Sequence, residues 1–151
     1  MLNRFAFTLL ELIFTIVIIG VLASVAIPKF TGLSDNAKIS SELSTAASVQ
    51  VAIDTCHGEW IINEGSFTCG GSIDSSELNS YGYPASLGSA ANPLDKILKK
   101  APTGWSLSGA RYTGPASNVQ NGASTCKADK PCKDRHWEYD AVKGTFSLKD
   151  N

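Results

Sequence analysis

Glu11 is the one ionisable residue in the stretch FTLLELIFTIVIIGVLASVAI, residues 7–27. A carboxylate at the centre of a bilayer costs about 3 kcal/mol on insertion scales, and less near the edge, so an acid here needs a reason that Leu or Ala would not. The chemistry open to it is charge pairing, because an intramembrane acid reads as a functional group with a partner elsewhere. The second reactive set is sulfur and imidazole: Cys56, Cys69, Cys126, Cys132, His57 and His136. Four cysteines allow three connectivities. Locality favours Cys56 with Cys69 and Cys126 with Cys132, each pair closing a short loop, and crossed pairing stays open. A loop of about fifteen residues is worth about 3 kcal/mol in the chain-entropy model. Zinc held by Cys126, Cys132 and His136 with Cys69 or His57 fits less well, because the cysteine spacing is wide and the same sulfurs serve as bridges. No Ser/His/Asp framework, Walker loop or dinucleotide fingerprint occurs. The expectation is a chain without catalytic residues, metal or cofactor.

The element that positions Glu11 is its own helix. The 21 residues of 7–27 would span about 31 Å at about 1.5 Å per residue, the thickness of a hydrocarbon core. The short segment MLNRFA before it carries Arg4, so the positive-inside bias sends the C-terminal body outward. Gly20 has little preference for helix, and Pro28 lacks the N–H that the Ser24 carbonyl would accept. The segment between Gly20 and Pro28 is therefore expected to bend or melt first. Gly20 and Ser24, one turn apart, form a small-xxx-small pair that lets another helix come close. From Lys29 to about Asp54 the helix is expected to continue in amphipathic form. Phe30, Leu33, Ala37, Ile39, Leu43, Ala46, Ala47, Val49 and Ile53 offer an apolar face, and Asp35, Lys38, Ser41, Glu42 and Gln50 face water.

Residues 6–11, AFTLLE, resemble the processing site of type IV pilins and the related pseudopilins. In that family a prepilin peptidase cuts before the Phe of a G-F-T-L-x-E motif and methylates the new N-terminus. The resemblance implies a leader at 1–6, a cut between Ala6 and Phe7, N-methylation of Phe7, and a transmembrane and assembly helix at 7–28 with Gly20 and Pro28 as its points of flexibility. A pilin-like head at 29–151 follows. Ala6 stands where the family usually has Gly and is the nearest replacement in size. Removing the leader would leave a charged amine on Phe7, since an α-amino group titrates near 8. That amine and a Glu11 carboxylate about 4 Å apart attract by about 4 kcal/mol at an effective dielectric near 20, before desolvation. Pairing between subunits is what the resemblance implies, and it would set the register of one helix on the next. Two other fates remain open for this N-terminus. Ser24-Val25-Ala26 fits an ordinary secretory cleavage site, and an uncut anchor would keep Met1.

Residues 56–69 read as a closed excursion, with Trp60–Ile62 pairing Phe67–Cys69 across the Asn63-Glu64-Gly65-Ser66 turn. Tyr81-Gly82-Tyr83-Pro84 reads as a rigid aromatic turn. Asn92-Pro93 reads as the start of a short helix through Lys100, with Leu94, Ile97 and Leu98 inward. Residues 104–108, 111–113, 136–140 and 145–149 alternate as strands, the last two joined by a turn at 140–144. They form a small antiparallel sheet that lays Trp105, Leu107, Trp137, Tyr139, Phe146 and Leu148 over the helix. The fold class is α+β: a long N-terminal helix on a small antiparallel sheet, with disulfide-closed loops. Residues 114–135 make a long loop closed by Cys126 and Cys132, which the resemblance places at the exposed edge of a pilus. A formal net charge of −1 leaves no footprint for nucleic acid. The resemblance implies a structural subunit held in the inner membrane and then drawn by assembly machinery into a helical homopolymer, a surface pilus serving adhesion, motility or DNA uptake. The alternatives are a pseudopilin of a type II secretion system, in a periplasmic pseudopilus, and a membrane-anchored exported binding module.

Overall fold

A computed structural model describes residues 8–63, 65–117 and 135–150, with side chains at all of these but 28–32, 35 and 150. Ala6, Phe7, Cys126, Cys132 and most of the 114–135 loop lie outside the described residues. The chain divides into two compact units, Met1–Ser34 and Asp35–Asn151. One helix, α1 (Leu9–Ile62), supplies the apolar span of the first and the central element of the second.

In the first unit Thr8 caps the helix, its Oγ1 accepting from the Glu11 amide at 3.3 Å. That satisfies one of the orphan donors of a helix start. Leu9–Ile27 is long and apolar enough to cross a membrane. Thr15 Oγ1 donates to the Leu12 carbonyl at 2.8 Å and Ser24 Oγ to the Val21 carbonyl at 2.7 Å. The hydroxyls of the span are thus bonded within their own helix, and an apolar surrounding meets no unpaired donor from them.

In the second unit α1 runs to Ile62, eight residues past the expected end near Asp54. Asn63 closes it, donating from its amide to the Glu59 carbonyl at 2.9 Å and from Nδ2 to the same oxygen at 3.0 Å. Trp60–Ile62 is therefore helix, not strand. The last turns are held by His57, which stacks on Tyr83 at 4.3 Å, and by Trp60, whose indole packs against Gly82. At Gly82 φ is +78°, and a Cβ would strike that indole, so only glycine serves in the Tyr81–Pro84 turn. The partner of β1 (Thr68–Cys69) is β2 (Ile73–Asp74), antiparallel, with Cys69 opposite Ile73.

The expected helix over 92–100 is a series of turns. Leu98 donates to the Leu94 carbonyl at 3.1 Å as in a single helical turn, but the neighbouring groups bond sideways: Gly71 and Ser72 both donate to the Lys96 carbonyl at 2.9 Å, and Ile97 donates to Leu87 at 3.2 Å. Leu94 and Ile97 are nonetheless buried, as their apolar character requires. The sheet follows the expected strands closely. β3 (Ser106–Ser108), β4 (Arg111–Thr113), β5 (Arg135–Asp140) and β6 (Thr145–Asp150) pair antiparallel in that order. Leu107, Tyr112, Trp137 and Leu148 stand opposite one another across it. Trp137 stacks on Phe146 at 5.3 Å, and Trp105 and Tyr112 close on the same ring at 6.2 and 5.5 Å. These aromatics join Ala46, Val49, Ile53 and Cys56 of α1 with Ile73, Leu87, Leu94 and Ile97 in one core. Leu148 is the exception among the expected core aromatics and aliphatics, lying exposed on the edge strand.

Candidate functional site

The first candidate site is the start of α1. Glu11 lies exposed in the first turn, where the helix dipole favours an anion. Of the described residues from Thr8 to Ile27 all but Ala23 are exposed. A run of bare Leu, Ile, Val and Phe side chains of this size marks a surface that another apolar phase covers. Gly20 and Pro28 both fall inside unbroken helix, and a Cβ added at Gly20 would meet nothing within 4 Å. Loosening at these two positions stays an expectation.

The second site was not anticipated. Glu42, expected to face water, is 5% exposed beneath the sheet. Its carboxylate accepts four hydrogen bonds. Trp137 Nε1 donates to Oε1 at 2.8 Å and Ser117 Oγ to the same oxygen at 2.6 Å. The Ala116 and Ser117 amides donate to Oε2 at 2.8 and 3.0 Å. Among the described residues these donors are all neutral, and between them they satisfy both oxygens of the buried carboxylate. Gly114 permits the approach, for a Cβ there would sit 2.5 Å from the carboxylate. Gln50, also expected to face water, binds the edge strand as another strand would. Its Nε2 donates to the Gly144 carbonyl at 2.9 Å, and its Oε1 accepts from the Phe146 amide at 2.8 Å. These two side chains fasten the helix to the sheet from both ends of the contact. Conversely Leu33, Ala37, Leu43 and Ala47, expected in the apolar face, are exposed. The signal for Glu42 was in the spacing: positions 42, 46, 49, 53 and 56 advance by four and three, the stripe of a buried helix face.

The sulfur set resolves in part. Cys56 and Cys69 form a disulfide with Cα atoms 5.2 Å apart, as locality favoured. Cys69 is thereby removed from any metal set with His136. His57 lies in the aromatic stack with Tyr83 and Trp60. His136 is buried in β5, with Nε2 at 3.5 Å from Glu138 Oε1.

No protein-family profile and no solved structure matches the chain. Individual proteins do. PilA5, the type IV narrow pilus major component of Thermus thermophilus, is 38% identical over 81 residues, 47% of this chain and 70% of that protein. The probable minor fimbrial protein of Dichelobacter nodosus is 30% identical over 98 residues, 65% of this chain and 57% of its own length. The type IV major fimbrial protein FimA of the same organism is 38% identical over 50 residues, about a third of either chain. An apolar N-terminal helix that continues into an α+β head is the architecture that the resemblance of AFTLLE to pilin processing sites leads one to expect. The chain belongs to the type IV pilin family.

Proposed function

We propose that this protein is a structural, non-enzymatic subunit of a type IV pilus-like filament, stored in a membrane through Leu9–Ile27 and polymerised through the same helix. The observation that carries the reading is the exposed apolar half of α1, interrupted by one acid in its first turn. That surface suits lipid and, equally, the helices of other copies. A peptidase cut between Ala6 and Phe7 creates a cationic amine four residues before Glu11. Glu11 then pairs with the amine of a neighbouring copy, and a helix slipped out of register leaves both charges unpaired in an apolar core. Assembly machinery draws the subunits from the inner membrane into a filament outside it. PilA5 and FimA, named as major pilus components, favour the surface pilus over a short secretion pseudopilus.

The test is electron microscopy of sheared surface material carrying a tag on this chain. Long tagged filaments support the pilus. A tagged stub confined to the periplasm would move the protein to the secretion class, and tagged membrane monomers with no polymer would refute the reading. Replacing Glu11 by Leu should leave membrane insertion intact and reduce filament yield at least tenfold.

A further inference from the structure

The four-stranded sheet ends in two open edges, β3 and β6, and each carries a leucine whose backbone faces outward. Gly109, at φ +63°, and Ala110 make the two-residue turn from β3 to β4, so the closing pair Ser108–Arg111 exchanges both of its hydrogen bonds. Bonded and non-bonded pairs alternate along an antiparallel ladder. Leu107–Tyr112 is therefore non-bonded, Tyr112–Trp137 bonded and Trp137–Leu148 non-bonded. The N–H and C=O of Leu107 point out of β3, and those of Leu148 point out of β6. Gln50 fixes the same phase independently, since it takes the outward amide of Phe146, two residues before Leu148. It covers only the start of that edge. Leu148 is 38% exposed, and among the described residues nothing pairs with its outward groups.

We propose that β6 of one copy pairs antiparallel with β3 of a second copy, so that the heads of neighbouring copies share one sheet, with Leu148 opposite Leu107. This contact rests on the filament reading and adds to it a join between heads. Copies in a filament are related by rotation about one axis and translation along it, so their heads share an orientation. In the order β3-β4-β5-β6 the strand β3 runs opposite to β6, and β3 of the second copy, laid beside β6, keeps the antiparallel alternation. Leu148 and that Leu107 then exchange both backbone bonds, because each presents its N–H and C=O outward. Their side chains lie on the core side of the sheet. The apolar row Leu107, Tyr112, Trp137, Leu148 thus continues into the second copy's Leu107, which covers the exposed end of the row.

The charges agree with this register. It sets Lys149 opposite Ser106 and Ser147 opposite Ser108 on the outer face, where no like charges meet. Ser106 Oγ and Thr113 Oγ1 are hydrogen-bonded to each other, and as hydroxyls they keep lone pairs for the Lys149 ammonium. The two edges are different surfaces of one chain, so the contact is heterologous and generates an open polymer instead of a closed dimer. A pairing of so few residues covers far less than the roughly 1,200 Å² of a stable interface. Dispersed subunits therefore stay apart, and the sheets join only where assembled helices hold the heads side by side.

The test is oxidation of filaments built from the full-length chain carrying Ser106→Cys and Lys149→Cys. A non-bonded pair brings Cα atoms to about 4.5 Å, within disulfide reach, whereas in one chain the two positions are three strand spacings apart, about 14 Å. They bridge only between copies. Oxidised filaments should run as a ladder of oligomers on a non-reducing gel, and neither single variant should give one. Filaments that form without the ladder overturn the pairing. A dimer from Lys149→Cys alone would assign the β6 edge to a second β6 and overturn it too. Should the double variant not assemble, a charge swap decides. Ser106→Lys sets a like charge against Lys149, so it should leave the melting temperature of the dispersed subunit unchanged and cut filament yield about fivefold, with Lys149→Glu in the same chain restoring it. Normal yield from Ser106→Lys, or a loss that Lys149→Glu does not restore, overturns the pairing. Absence of filaments from the unaltered chain would instead count against the filament reading itself.

Discussion

Glu42 and Glu11 are both carboxylates on α1 in apolar surroundings, and their neighbours give them opposite tasks. Glu42 meets four donors of its own chain, so its contribution is internal. Glu42→Ala strands the buried Trp137 indole N–H and Ala116 amide, with the half-buried Ser117 amide beside them, at roughly 1–3 kcal/mol for each buried group left unpaired. Urea unfolding of the detergent-dispersed chain should show a loss on the order of 3 kcal/mol or more. Gly114→Ala should cost about 1–3 kcal/mol through the clash with the same carboxylate. Neither substitution touches Leu9–Ile27, so membrane insertion should be unaffected. Tyr139 supplies a pH limit. Burial pushes its phenol pKa well above the usual value near 10, and its hydroxyl donates to the Pro84 carbonyl at 2.7 Å. Burial raises that of Tyr112 as well. A raised acid pKa means the neutral form stabilises the fold. That stability is fully present below about pH 10 and is lost progressively as pH rises beyond it. Thermal melts should therefore fall steeply above about pH 10, and Tyr139→Phe should blunt the dependence.

At the scale of elements, period and spacing located every strand of the main sheet to within two residues, because each alternates and ends on a turn with its own chemistry. Gly144, at φ +63°, closes the last of these turns. The apolar half of α1 was legible from its composition and the AFTLLE motif, while its cap at Thr8 came only with the structure. Trp60–Ile62, expected as strand, and Gln50, expected in water, were not, and neither were two further features. The 92–100 segment has the cap and composition of a helix, yet its Lys96 carbonyl and Ile97 amide are taken by residues 71, 72 and 87, partners that only the tertiary fold brings near. Glu42 was placed in water by its charge, although its position in the 42-46-49-53-56 stripe put it inside, and stripe prevailed over charge because Gly114 and Trp137 supply room and donors. The Cys56–Cys69 bridge ties the end of α1 to β1 across a sequence separation of 13. Replacing both cysteines by Ser should cost about 3 kcal/mol in the chain-entropy model, read as a drop in urea midpoint. The filament contacts proposed for Leu9–Ile27 should survive that change.

For the whole molecule, the filament reading has α1 serve two solvents in succession. Among the described residues its apolar half, Leu9–Ile27, is exposed at all but Ala23, and its second half is a core element with one face still open. A chain built this way is stable as a head and incomplete as a surface, and polymerisation completes it. The account turns on the cationic end that proteolysis must create for Glu11. The most direct measurement is mass spectrometry of the N-terminus of this chain recovered from sheared surface filaments. The account predicts a chain that begins at an N-methylated Phe7; a chain that keeps Met1, or that begins at Ile27 without the apolar helix, contradicts it.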